Sequence, residues 1–281
     1  MESTGESTGP VIELPPHELP PRPSLRATRR PGLGSAAVVA AGAAALLAAW
    51  AGVSLSLGAQ VVPDPYRVAR LMWSDAQSGT LLHHLGITML RVAVAAALAM
   101  LCGGLAGVWM GLSRNADMFW ASWLVAALTV PRLLIIVVAY LLIGFNDVAA
   151  VAATTLAVAP GVAVALREGT RALDWKLVDM GRAFRVATRT QWRRIMWPQL
   201  LPYAAGSARN ALSLSWKMVL FAELMGRPSG VGYQIAFYFQ MFNMGQILAY
   251  GTATILVAAV LELAMSDLER RVFRWRPELV T

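Results

Sequence analysis

Five ionisable side chains, Arg91, Arg132, Lys217, Glu223 and Glu262, fall within or beside long apolar runs. A charge at the centre of a bilayer costs about 2.5–3.5 kcal/mol on insertion scales, so each of these is expected to face protein or water. Two kinds of chemistry are open to them. Opposite charges from different helices lock a bundle, and a positive charge beside a water-filled route draws an anion. Glu223 is expected to pair with an arginine of another helix. Lys217 stands six residues before it, so the two do not stack on one helix face. Arg132 follows Pro131, which removes a backbone donor and loosens a helix. A fixed positive charge there suits an anion pathway or a structural partner. Gly226, Pro228, Gly230 and Gly232 crowd the segment after Glu223. Backbone of that kind suits a re-entrant loop covered by protein or water, or an ordinary turn outside the membrane.

Other chemistries find no residues to carry them. No Gly-x-x-x-x-Gly-Lys-Ser/Thr run occurs, so nothing cradles a nucleotide phosphate by that route. The single cysteine, Cys102, allows neither an intrachain disulfide nor a cysteine metal cluster. His83 and His84 are adjacent, which sets their side chains about 100° apart on a helix, and the pair is expected at the outer membrane surface rather than on a metal. No Ser/His/Asp set stands out. The chain is expected to bind no cofactor and to be no enzyme.

The elements that hold these residues follow from composition. Of 281 residues, 57% are hydrophobic and 14% charged; a soluble domain averages about 25% charged. The fold class expected is all-α, a polytopic membrane protein of about six helices, since a span needs roughly 20 apolar residues and lipid admits only helices or closed barrels. The spans are expected near 35–57, 85–112, 118–143 with Pro131 inside, 148–166, 201–225 and 247–265. Residues 1–33 read as a disordered cytoplasmic tail, 34–58 as the first membrane helix, 59–84 as an extracytoplasmic segment, 85–268 as the main body and 269–281 as a cytoplasmic tail. A signal peptide competes for the start, but the apolar run after the tail exceeds a usual signal core.

With the N-terminus inside, Arg22, Arg26, Arg29, Arg30, Arg114, the basic residues of 167–194, Arg270, Arg271, Arg274 and Arg276 all fall on the cytoplasmic side. The other side holds Arg67, Arg70 and Arg227. That asymmetry obeys the positive-inside rule, and it accounts for the net charge of +8 without nucleic acid.

Residues 177–202 are too polar to cross a bilayer and too patterned for a linker. Leu177, Met180 and Phe184 recur at helical spacing, with Arg182, Arg185 and Arg189 off that stripe. A second short helix is expected over 191–197, carrying Trp192, Ile195 and Met196, with Pro198 ending it or opening the next span. A helix–turn–helix at the membrane face results, with one side open to a partner. An interfacial helix that only binds anionic headgroups would look similar.

The wider pattern separates the two. Asp179, Gly181, Ile195 and Pro198 stand at the spacing of the cytoplasmic EAA loop of binding-protein-dependent ABC-importer permeases, and the chain resembles the nitrate/sulfonate/taurine group of that family. Ala222-Glu223-Leu224 resembles its Ala-Glu-Leu, and Gly230-Val231-Gly232-Tyr233 its Gly-Leu-Gly-Tyr re-entrant turn. Leu90-Arg91-Val92 and Val62-Pro63-Asp64-Pro65 match earlier positions, so the resemblance covers about residues 60 to 275. It implies that Asp179, Gly181, Arg182, Arg185, Ile195 and Pro198, within a loop 168–200, couple to ABC ATPase subunits. It also implies a second permease subunit, an extracytoplasmic binding protein, the bacterial inner membrane, and a substrate such as a sulfonate, taurine or nitrate. Arg91, Arg132, Lys217, Glu223, Gly230, Gly232 and Tyr233 become candidates for the pathway or gate. One position departs: the family glycine falls on Arg185. A glycine there serves a left-handed backbone, which costs a residue with a side chain roughly 1–2 kcal/mol. Either the turn is reshaped, or the arginine is used. A secondary transporter with its own ion coupling is the rival class; it predicts repeated halves, and no clear internal repeat is visible.

Overall fold

The computed structural model describes residues 33–58 and 60–272. The expected N-terminal tail and the last residues of the expected C-terminal tail lie outside them. Every described element is helical. In chain order they are α1 (Leu33–Leu57), α2 (Pro65–Gln77), α3 (Thr80–Leu112), α4 (Arg114–Thr129), α5 (Arg132–Ile143), α6 (Asp147–Arg171), α7 (Trp175–Ala183), α8 (Thr188–Gln191), a wide π turn (Trp192–Met196), α9 (Trp197–Gly226), α10 (Val231–Gln240) and α11 (Met244–Val272).

Residues up to Ala49 and from Trp50 onward form two compact units. The first holds most of α1, whose exposed face is alanine, valine and leucine all round. The second holds everything else, with α3, α6 and α9 at its centre.

Glycine sets how α3 and α6 meet. A Cβ on Gly107 would sit 2.9 Å from Ala163 Cα, and one on Gly103 would strike Ala159 O. One on Gly111 would press on Thr170. Spaced four apart, the three glycines bring one backbone onto another, as small residues do between membrane helices. Gly103 meets residue 159, Gly107 meets 163 and Arg91 bonds Asp147, a constant offset of 56. The two helices therefore run parallel and in register. Parallel neighbours require a return between them, which α4 and α5 supply. Gly107→Ala is expected to cost about 1–3 kcal/mol by overpacking and to lower the melting temperature in detergent. Gly161→Ala, whose Cβ meets nothing within 4 Å, should melt at or above the parent.

The return departs from the sequence-based expectation of one span over 118–143. α4 ends at Thr129 and α5 begins at Arg132, bent by 93°. Pro131 has no N–H for the helix behind it and excludes the helical conformation for Val130, whose ψ is 128°. Four helices are long and apolar enough to cross a membrane, or five if the bent pair is one span. The expected fifth span is present as α9, 30 residues long, but it is not among those four or five. It carries Arg209, Lys217 and Glu223 on one helix. The segment between α1 and α3 contains α2, which Asp64 caps by accepting the Arg67 N–H at 2.6 Å, with Pro65 in the first turn. Residues 269–272, read as tail, belong to α11.

Candidate functional site

Glu223 lies near the C-terminal end of α9 with its side chain fully buried. Arg91 Nη1 on α3 donates to its Oε1 at 2.6 Å, and the Gly232 N–H donates to Oε2 at 3.0 Å. Thr88 Oγ1 stands 2.9 and 3.0 Å from the two carboxylate oxygens and accepts the Val231 N–H at 2.9 Å. The Arg91 fork is fully used. Nη1 also reaches Ser229 O at 2.8 Å, Nη2 reaches Ser229 Oγ at 2.8 Å, and Nε reaches Asp147 Oδ1 at 2.7 Å. Arg227 donates to the same Asp147 oxygen at 2.8 Å and to Phe145 O at 2.8 Å. Charges alternate along Glu223, Arg91, Asp147 and Arg227, so the network is neutral as a whole. Buried charge is tolerable only when paired and hydrogen-bonded.

This network pins the loop between α9 and α10. Gly230 has φ 106°, and a Cβ there would fall on the Glu223 carboxylate. A Cβ on Gly232 would strike Leu220 O. Both positions thus demand glycine, one for its backbone and both for space. His84 completes the clasp: its Nδ1 accepts the Gly230 N–H at 3.1 Å, and its Nε2 lies 2.6 Å from the Gln234 carboxamide. Gln234 Nε2 is the atom placed there; since Nδ1 accepts, His84 Nε2 carries the proton, and the carboxamide must be turned over to offer its oxygen. Tyr140 on α5 ties the bent return to the same place, donating to Ala222 O at 2.7 Å.

Of the pathway or gate candidates, Arg91, Glu223, Gly230 and Gly232 come together here. Tyr233 is half-buried beside them, its ring 6.3 Å from that of His84. Arg132 and Lys217 do not join. Arg132 is exposed at the break before α5, and Lys217 is exposed midway along α9. Sequence reasoning missed His84, Thr88, Asp147, Arg227 and Ser229. A signal existed for two of them: His84, Thr88 and Arg91 are spaced four and three apart, on one face of α3.

The opposite end of the unit has its own tie. Asp117, in the first turn of α4, pairs with Arg167 and Arg171 from the last turns of α6. Beyond it comes the segment from α7 to the start of α9, built around Leu173, Val178 and Met196, with Trp175, Trp192 and Ile195 packed on them. Asp174 caps α7, accepting the Lys176 N–H at 3.0 Å. Gln199 Oε1 accepts the Asp174 N–H at 2.9 Å, while Gln199 Nε2 donates to Ile195 O at 2.9 Å. Gly181 is buried against the π turn: a Cβ on it would be 3.1 Å from Ile195 Cδ1 and 3.4 Å from Gln191 Cγ.

Arg185 has φ 53°. The Val186 N–H bonds Gly181 O at 2.9 Å and the Arg185 N–H bonds Arg182 O at 2.9 Å. That is a Schellman turn with an arginine at its left-handed position. The turn is therefore kept, not reshaped, despite the lost glycine, and Gln191 Nε2 braces it by donating to Val186 O at 2.8 Å.

One feature differs from expectation: the second helix is not a separate 191–197 element. α8 runs through the π turn into α9, because Pro198 has no N–H to offer and Trp197 N instead reaches Trp192 O, five residues back. The apolar stripe is not the packed side. Val178 and Gly181 face the chain, while Leu177, Met180 and Phe184 are exposed. Asp179 and Arg182 pair at 3.1 Å on the exposed side, a contact worth little by itself. Leu177, Met180, Arg194, Ile195, Pro198 and Tyr203 line a cleft of about 350 Å³.

Residues 99–274 match the family of binding-protein-dependent transport system inner membrane components, which is more than half of the chain. The chain belongs to this family. The permease is 28% identical over 220 residues to the aliphatic sulfonates transport permease protein SsuC of Bacillus subtilis, covering 78% of this chain and 80% of that one. It is 24% identical to the taurine transport system permease protein TauC of Escherichia coli, covering 78% and 81%. Among solved structures, inward-facing forms of the MetNI methionine ABC transporter share its fold, with a TM-score of 0.58 at 15% identity over 66% of the permease and 92% of that chain. The resemblance drawn from Asp179, Gly181, Ile195, Pro198 and Glu223 is thus a family membership, and the polytopic all-α architecture is the family's own.

Proposed function

We propose that the permease forms half of the substrate pathway of an ATP-driven importer, working with a second permease subunit that is either a copy of itself or a related chain. Residues 175–198 take up force from separate ABC ATPase subunits, which hold the ATP and Mg. An extracytoplasmic binding protein delivers the substrate at the opposite end, near the clasped 227–230 loop. Both termini are cytoplasmic, nucleic acid has no part, and the membrane is the bacterial inner membrane. The substrate is a small anion or organic solute such as a sulfonate, taurine or nitrate; the relatives above are named for aliphatic sulfonates and for taurine.

The observation that carries this reading is the build of the 175–198 segment. It has its own small core and three side-chain braces, yet it leaves Leu177, Met180 and Phe184 exposed between arginines. A braced piece with an uncovered apolar face between arginines gives a partner a footing through which a push can pass. ATP binding on the partner would close the ATPases and shift the bundle between states of differing access. Mild-detergent purification from the native membrane, with cross-linking from a cysteine at Phe184, tests it. A P-loop ATPase joined at that position is the expected result. Recovery of the permease alone, or cross-links only to lipid, would overturn the assignment.

A further inference from the structure

α9 presents two kinds of surface. Its buried side packs into the bundle through Ser207, Ala211, Ser215, Met218 and Val219. Its exposed positions are Tyr203, Gly206, Asn210, Ser213, Lys217, Phe221 and Leu224, which recur every three or four residues along one face. The middle of that face is polar. α3 by contrast shows Leu90, Val94, Leu98, Leu101 and Leu105, and α11 shows Ile255, Leu256, Val260 and Leu263 beside Glu262, which pairs with Arg209. Faces of the second kind suit lipid. A strip holding an asparagine, a serine and a lysine does not, because an ionised side chain inside a membrane faces protein or water.

Lys217 carries the one positive charge on this strip that has no ion pair among the described residues. Glu262 lines the same shallow cleft, but its carboxylate is taken by Arg209, which also bonds Glu269 at 3.3 Å. The strip is therefore polar, and Lys217 is its one charge left without a partner while Arg209, Glu262 and Glu269 answer one another beside it.

We propose that Asn210, Ser213 and Lys217 line the water-filled route of the permease, and that the Lys217 ammonium is the contact for a small organic anion in transit. This rests on the importer reading above and adds to it the face, the charge and the substrate class. The hydroxyl of Ser213 and the carboxamide of Asn210 offer neutral hydrogen bonds on either side of the anion's path, while the ammonium selects for charge. A single positive site in a narrow route raises the local concentration of anions, and one contact holds the anion weakly enough for release.

The test uses the full chain with its partners in native membrane vesicles, in a Cys102→Ser background, since Cys102 is exposed. Asn210→Cys and Ser213→Cys are each treated with two water-soluble methanethiosulfonates, one bearing a sulfonate and one a trimethylammonium. Leu105→Cys on the apolar face of α3 serves as the control. The expected result is labelling at 210 and 213 but not at 105, with the anionic reagent favoured. Adding Lys217→Gln should lower the anionic-to-cationic rate ratio on the order of tenfold, and Lys217→Arg should restore it. ATP-driven uptake of a sulfonate should fall with Lys217→Gln through a higher KM. Absence of labelling at 210 and 213, in vesicles whose parent complex imports on ATP, overturns the strip and leaves the importer reading standing. A rate ratio indifferent to residue 217 overturns the anion contact. Failure of the importer reading looks different: the strip labels as expected, but the parent complex takes up nothing on ATP.

Discussion

Glu223→Ala is expected to cost the permease about 3–5 kcal/mol, because removing one member of a buried pair strands the other. Arg91 Nη1 would lose its 2.6 Å partner, and the Gly232 N–H and Thr88 hydroxyl would lose their acceptor together. Total stabilities of folded domains run to roughly 5–15 kcal/mol, so the loss is a large part of the whole. Purified in detergent, the variant should melt on the order of 10 °C below the parent. Glu223→Gln keeps the size and one acceptor but leaves Arg91 with only Asp147 to balance it, and should fall between. Pairing each with Arg91→Met gives a cycle whose coupling term should reach about 1–3 kcal/mol. A Glu223→Ala protein that melts with the parent would show that the 227–230 loop is held by something other than this carboxylate.

The same network marks where the sequence is legible and where it is not. Glu223 and Arg91 announce themselves as charges in apolar runs, but they stand 132 residues apart, and no local pattern states that they meet. Their meeting follows from how α9 packs on α3, where Val92, Trp216 and Val219 share a core, while the parallel register of α3 and α6 set by Gly103, Gly107 and Gly111 brings Asp147 to the same arginine. Asp147 and Arg227 sit at helix ends, where charged residues ordinarily face water, so nothing in their neighbourhoods sets them apart. α1, α3, α6 and α11 are plain from hydropathy. α9 is the less apolar span, carrying Arg209, Lys217 and Glu223, yet its apolar run still places a helix near 201–225. The proline at 131 marks a loosened helix within one expected span, but the 93° bend depends on where α5 packs, with Ile136 and Tyr140 buried against Ala222. Around Arg185 the reverse holds. Family spacing identifies the turn, and only the backbone shows that an arginine occupies its left-handed position.

The second large effect is expected at Gly181. Its neighbours leave room for one methyl: Ile195 Cδ1, the flexible end of a side chain, can yield the few tenths of an ångström that a Cβ at 3.1 Å requires. Gly181→Ala should therefore support full ATP-driven uptake by the reconstituted complex. Gly181→Trp has no such space. Its ring would displace Ile195 and Gln191, and with Gln191 goes the 2.8 Å bond to Val186 O that braces the turn at Arg185. The direct cost to folding is about 1–3 kcal/mol, typical of overpacking, and it falls on a segment remote from the Glu223 network. Membrane insertion should stay near that of the parent and the melting temperature should fall by about a few degrees, while uptake drops more than about tenfold, the factor that 1.4 kcal/mol of lost coupling supplies. Arg185→Gly is the informative companion. It removes a left-handed strain of roughly 1–2 kcal/mol without touching the Gly181 contact. If the arginine merely fills the turn, ATPase stimulation should hold or rise; a collapse would assign its guanidinium to the partner. Unchanged uptake in Gly181→Trp, with the ATPase still bound, would mean that force enters the permease elsewhere than through the contact between α7 and the π turn.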